Sequence, residues 1–106
     1  MGRPDPKTVK RHLDAIEAEM KRAGLWQGEP LPEDAYQFRQ AFAMDTMAFS
    51  QWLQFVFVPR VRQILETGEA FPTSSMVGAQ AVREFDTVPE AGELTRLLSE
   101  FDALFR

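Results

Sequence analysis

The sequence predicts an all-α fold, a compact bundle of about four helices. Three observations carry this reading. Apolar residues recur at helical spacing near both ends, as Val9-Leu13-Ile16-Met20 and as Leu94-Leu97-Leu98-Phe101-Leu104-Phe105. Between them lies a dense apolar run from Trp52 to Val58, which must be buried. No other segment reads as a strand that could pair with that run, and a lone strand would leave its backbone groups without partners.

The first helix opens at Asp5, a residue suited to capping, followed by Pro6, whose missing N–H costs nothing at the first helical position. Gly24 is placed to end it in a left-handed conformation, with Leu25 folding back on Met20. Residues 25–43 break periodicity with Gly28, Pro30 and Pro32, yet Leu25, Trp26, Tyr36, Phe38 and Phe42 are too apolar for a free linker. A long loop pinned by its aromatics is expected here, with one helical turn near Glu33 to Phe38. The central run reads as a buried helix with Ala48, Trp52, Phe55, Val56 and Pro59 on one face, Leu53 and Phe57 beside it, and only Gln51 and Gln54 polar. Pro59 kinks or interrupts this helix, because its ring clashes with the carbonyl of Phe55. Val61, Ile64 and Leu65 then resume the spacing until Gly68.

Thr73, Ser74 and Ser75 supply capping hydroxyls for a third helix over residues 74–85, with Met76, Ala79, Val82 and Phe85 on its apolar face. Its small residues Gly78, Ala79 and Ala81 permit close helix approach. Thr87-Val88-Pro89-Glu90 fits a capping box ahead of the last helix.

The 106 residues are sufficient for one domain with a single core, expected to span residues 1–106. The net charge is −4, and its distribution is uneven: residues 1–24 carry six Lys or Arg against four acids, the remainder six Arg against twelve. This mildly acidic body argues against direct nucleic-acid binding, which needs clustered cations. The basic first helix reads as a solvated face. The absence of cysteine excludes disulfides, thiol catalysis and thiolate metal sites. No apolar leader and no run approaching the ~20 residues of a membrane span is seen, so a cytoplasmic location with no membrane association is expected.

Little in the chain points to chemistry. His12, the single histidine, sits at the edge of the first apolar stripe with no nucleophile or paired carboxylate tied to it by spacing, and boundary packing accounts for it. Asp45, beside Thr46 at the entry to the central helix, suits an N-cap or turn better than an acid of raised pKa. The glycines are scattered, so no phosphate-cradling loop exists. Arg60 and Arg62 follow Pro59, where they could pair with carboxylates or meet an anionic partner. Gln54 either faces solvent or must hydrogen-bond inside the core. Neither metal nor cofactor is expected. Asp45, Thr46, Gln54, Arg60 and Arg62 form the candidate interaction or ligand surface.

Met44-Asp45-Thr46-Met47, followed by Trp52-Leu53-Gln54 and Pro59-Arg60, resembles the YqcC-like family of small bacterial proteins. The resemblance extends through the opening helix, the Trp26 and Glu29-Pro30 region, and the closing Ser99-Glu100-Phe101-Asp102-Ala103-Leu104-Phe105. It implies an all-helical bundle and no established biochemical activity. It also implies a label of association with tRNA pseudouridine synthase C, whose genes neighbour those of some members. The synthase itself needs a larger mixed α/β domain and a catalytic aspartate in an arginine-leucine-aspartate context, and Asp45 has no arginine beside it. An accessory role fits better. The leading expectation is a non-enzymatic interaction module that binds a protein partner, such as an RNA-modifying enzyme, through a groove or patch beside the central helix, its oligomeric state open. The second is a small-ligand or lipid-like carrier with a pocket in the aromatic core, and an enzyme using Asp45 or His12 ranks last.

Overall fold

In the computed structural model, which describes residues 4–105, the chain is helical and contains no strand among those residues. The helices are α1 (Pro6–Arg22), α2 (Phe49–Trp52), α3 (Val58–Thr67), α4 (Val77–Glu84) and α5 (Gly92–Ala103). Single 3₁₀ turns lie at Glu33–Tyr36, Ala41–Ala43 and Pro89–Ala91, and Leu53–Phe57 is a π-helical turn that joins α2 to α3. Four helical columns therefore pack together: α1, the α2–α3 column, α4 and α5.

α1 follows the sequence closely. Val9, Leu13, Ile16 and Met20 are fully buried. Gly24 takes φ 75°, the N–H of Leu25 bonds the Met20 carbonyl at 2.8 Å, and that of Gly24 bonds the Lys21 carbonyl at 3.2 Å. This reciprocal pair satisfies carbonyls that the helix end would otherwise strand. Asp5 occupies the cap position but its side chain caps no backbone N–H, and it accepts from the Thr8 hydroxyl instead. Three of the five cations of α1 pair within the helix, Lys10 with Asp14, Lys21 with Glu17 and Arg22 with Glu19, in keeping with a solvated face.

The expected loop turn forms at Glu33–Tyr36. Trp26 and Phe42 pack against the core and Lys21 lies over the Trp26 ring at 5.1 Å. Tyr36 and Phe38 are exposed, so the pinning falls to fewer aromatics than the composition suggests.

In the central column the buried face is Phe49, Leu53, Phe57, Val58, Val61 and Ile64. The face expected from the sequence is corrected: Ala48 and Pro59 are exposed, and Trp52, Phe55 and Val56 are half-buried. The core stripe begins at Phe49 and descends in steps of four through Leu53 and Phe57. Pro59 interrupts the helix as expected, and a π turn is the means. The N–H of Val58 reaches back five residues to the Leu53 carbonyl, which widens the turn just before the proline ring.

Two further expectations are corrected at α4 and α5. The third helix starts at Val77, not 74, and none of Thr73, Ser74 and Ser75 caps it. The carboxylate of Asp102, on α5, accepts from the N–H groups of Gly78 (2.8 Å) and Ala79 (3.3 Å) and from the Ser75 hydroxyl (2.6 Å). A cap supplied by a neighbouring helix removes the need for a local one. The buried face is accordingly Val77, Gly78 and Ala81, with Met76, Ala79 and Val82 exposed. The Thr87 capping box does not form. Pro89 holds Val88 extended (φ −116°, ψ 90°), and the first turn starts one residue too late for Thr87 to reach it.

α4 and α5 approach so closely that a Cβ on Gly78 would lie 2.5 Å from the Ser99 Cα. Gly78→Ala should therefore destabilise the fold by about 1–3 kcal/mol, since backbone rather than a side-chain tip must move. Gly92→Ala, in open space at ordinary helical φ, should stabilise it by about 0.5–1 kcal/mol. Urea denaturation of both variants checks the pair.

Candidate functional site

The residues singled out from sequence fall into three environments. Asp45 and Thr46 close the loop ahead of the central column. The Asp45 carboxylate accepts from the backbone N–H groups of Arg39 (2.9 Å) and Gln40 (3.3 Å), and the Thr46 hydroxyl donates to the Ala35 carbonyl at 2.6 Å. Met47 is buried beside Ala35 and Ala43. The Met44-Asp45-Thr46-Met47 motif is thus a clasp on its own loop, and Asp45 stabilises a turn without capping α2. The clasp confines strained backbone: Phe42 and Ala43 both take positive φ, 57° and 53°. The Phe42 ring is held edge-on to Phe49 and Trp52, at 5.9 and 5.0 Å between centroids.

Gln54 is buried, and its carboxamide is consumed internally. Its Oε1 accepts from the Gln27 N–H at 2.9 Å and its Nε2 donates to the Gln27 carbonyl at 2.7 Å. Gln51 donates through Nε2 to the Gln27 side chain at 3.1 Å and accepts from the Ala48 N–H at 2.9 Å.

Arg60 and Arg62 differ although they are two residues apart. Arg62 bridges from α3 to α1, with Asp14 at 3.1 Å and Glu17 at 2.9 Å. Hydrogen bonding from Lys10 and from Arg62 respectively holds the Asp14 and Glu17 carboxyls below their ordinary values. Arg60 is exposed and has no ion-pair partner among the described residues.

Arg60 instead stands on the edge of an apolar concavity, a half-open groove of about 380 Å³. One wall is the central column, with Trp52, Val56, Phe57, Val61 and Ile64. The other is the connection from Ala70 to Val77, and Phe101 and Phe105 close the floor. A ladder of rings runs along it: Trp52–Phe57 stacked at 5.7 Å, Phe57–Phe101 at 5.1 Å, Phe101–Phe105 at 5.0 Å and Phe105–Phe71 at 5.9 Å. Asp102 moors the lip through Ser75. Met76, exposed on the lip, is one helical turn from Gln80, whose side chain contacts the sulfur of exposed Met44. The sequence points to a groove or patch beside the central helix, but not to its second wall, its floor or the Asp102 mooring, because these come from separate segments with no shared motif.

His12 lies at the α1–α5 boundary near Leu97 and Glu100, with Nδ1 shielded and unpartnered. Among the described residues no group of three or more His, Asp or Glu side chains is placed to hold a metal, and no helix is long and apolar enough to cross a membrane.

A family model, DUF446, described as tRNA pseudouridine synthase C, matches residues 8–104. The chain belongs to that family. The chain is similar to an uncharacterized protein of Haemophilus influenzae, 35% identical over 99 residues, which cover 91% of this chain and 88% of that protein. YqcC of Escherichia coli is 29% identical over 98 residues, covering 92% and 90%. The solution NMR structure of E. coli YqcC superposes with a TM-score of 0.82 at 27% identity, covering 94% of this chain and 86% of that one. A protein of Pectobacterium carotovorum named tRNA pseudouridine synthase C is 36% identical over 66 residues, which are 62% of this chain but only 18% of that protein. The fold and the YqcC-like resemblance are thereby shown for this DUF446 chain.

The clasp predicts a pH response. Hydrogen bonds from the Arg39 and Gln40 N–H groups lower the Asp45 pKa from its ordinary value. A carboxyl depressed on folding stabilises the native state above its unfolded pKa, and that contribution disappears as the pH falls through the lower folded value. Amide exchange at Arg39 and Gln40, referenced to the full acid- plus base-catalysed intrinsic rates, should therefore lose protection progressively as the pH falls from about 4 through the lower folded value. Asp45→Asn should show weaker protection at neutral pH and no such step.

Proposed function

We propose that this protein is a non-enzymatic helical accessory module that docks on another protein through the groove beside Arg60. The observation that carries the reading is a contrast in how polar groups are used. Asp45, Thr46, Gln54, Arg62 and Asp102 are all spent on holding the fold, whereas Arg60 is unpaired at the mouth of an apolar groove. An unpaired cation beside exposed apolar surface suits recognition better than catalysis, which needs a nucleophile or an acid–base pair within reach.

The family description suggests the partner. A segment like this chain makes up under a fifth of a longer protein named tRNA pseudouridine synthase C. Where such a segment is covalently joined to a large neighbour, a separate copy is a candidate to bind the same kind of neighbour non-covalently. We therefore propose a tRNA pseudouridine synthase as partner, with the synthase supplying contacts to RNA and this chain supplying none. A small-ligand carrier is the second reading, favoured by the groove volume, which falls within the range of ligand sites.

The test is co-purification of the tagged protein with the pseudouridine synthase of the same organism, followed by titration of the purified pair. A stoichiometric complex is expected, and Arg60→Glu should weaken it by about tenfold or more while leaving the circular dichroism and melting curve unchanged. Arg62→Glu should instead lower stability by about 1 kcal/mol, because it sets three carboxylates together. A clean preparation with no synthase bound, or a complex indifferent to Arg60→Glu, would reject the proposal.

A further inference from the structure

The chemistry of the occupant is written in the groove. Resting on the reading of this chain as a docking module, we infer that the groove receives an amphipathic α-helix whose apolar face carries leucine-like anchors and whose flank presents a carboxylate to Arg60.

Five observations converge on that occupant. The walls are a mixture of rings and branched aliphatics, Trp52, Val56 and Phe71 among them, which pack aliphatic anchors well. The groove is open to solvent on one side, and two exposed methionines stand by it, Met76 on its lip and Met44, whose sulfur accepts from the Gln80 side chain one turn along α4 from Met76. A small amphiphile seated in the groove would leave these methionines exposed, whereas a helix of a few turns is long enough to reach them as well. Methionines at the lip adapt to the shape of an incoming side chain. Among the described residues no strand edge exists, so an extended peptide has no ladder to join. Finally, the charge is specified. Arg60 is the cation at this mouth, and its neighbour Arg62 is already satisfied by two carboxylates on α1. An acidic flank on the partner completes the pairing, and a basic flank meets an unscreened like charge.

The experiment uses the intact protein and two fluorescein-labelled synthetic peptides. One carries leucines at i, i+3, i+4 and i+7 with flanking glutamates, and its twin has lysines in place of the glutamates. Anisotropy titrations should show the glutamate peptide binding about tenfold more tightly than its twin at low salt. Arg60→Glu, at an exposed position, should reverse the order. Met76→Ser, also exposed, should weaken both peptides without altering the melting curve, and the Trp52 indole resonance should shift on binding. The inference is overturned if neither peptide binds, if the two bind alike and Arg60→Glu changes nothing, or if dodecanoate binds more tightly than the glutamate peptide and displaces it. If the peptides fail while the synthase complex forms, the helix inference falls and the module reading stands. If the glutamate peptide binds as stated while the synthase is not captured, the groove chemistry stands and the partner is a different acidic helix.

Discussion

The carboxamide of Gln54 grips the main chain of Gln27 at both its N–H and its carbonyl, and the ordering of the connection between α1 and the central column depends on that contact. It ties the start of the 24-residue connection between Gly24 and Phe49 to the middle of the central column. Gln51, one turn earlier, adds a bond to the Gln27 side chain. With the connection fixed at this end and clasped by Asp45 and Thr46 at the other, Phe42 is pressed onto Phe49 and Trp52 despite its positive φ. A buried carboxamide is worth keeping only when fully satisfied, and removing it would strand two backbone groups at about 1–3 kcal/mol each.

Gln54 and Pro59 meet in one irregular stretch of the central column. A regular helix would drive the proline ring against the Phe55 carbonyl. The π turn over Leu53–Phe57 absorbs this by carrying one extra residue, and it does so where Gln54 and Leu53 are both buried. The same turn presents Trp52, Val56 and Arg60 along the groove while Leu53 and Val58 face the core, with Phe57 shared between the two. One sequence constraint, a proline in the middle of a buried helix, thus serves both the loop anchor and the candidate docking surface.

How much of this was legible in the sequence depended on how local its causes are. α1 was legible to the residue at its stop, because Gly24, Leu25 and Met20 lie within six positions of each other. The interruption at Pro59 was legible because the clash is intrinsic to the chain, but the form of its relief was not. The start of α4 was misread because its cap, Asp102, lies 24 residues beyond Gly78. Thr87 carried a correct motif that Pro89 displaced by one residue. Of the five candidate site residues, Asp45, Thr46, Gln54 and Arg62 turned out to hold structure through partners at distances in sequence that no motif records, leaving Arg60 unpaired. The groove itself needed three separate segments to meet.

The central claim is that Gln54 anchors a connection whose ordering is separable from the bundle. Hydrogen exchange of Gln54→Leu tests it directly. The substitution keeps the run apolar and removes the grip on Gln27. Protection should fall at Gln27 and through residues 35–47, while the core amides of α1, α4 and α5 keep theirs. Unchanged protection across residues 27–47, or uniform loss throughout the chain, would contradict the account.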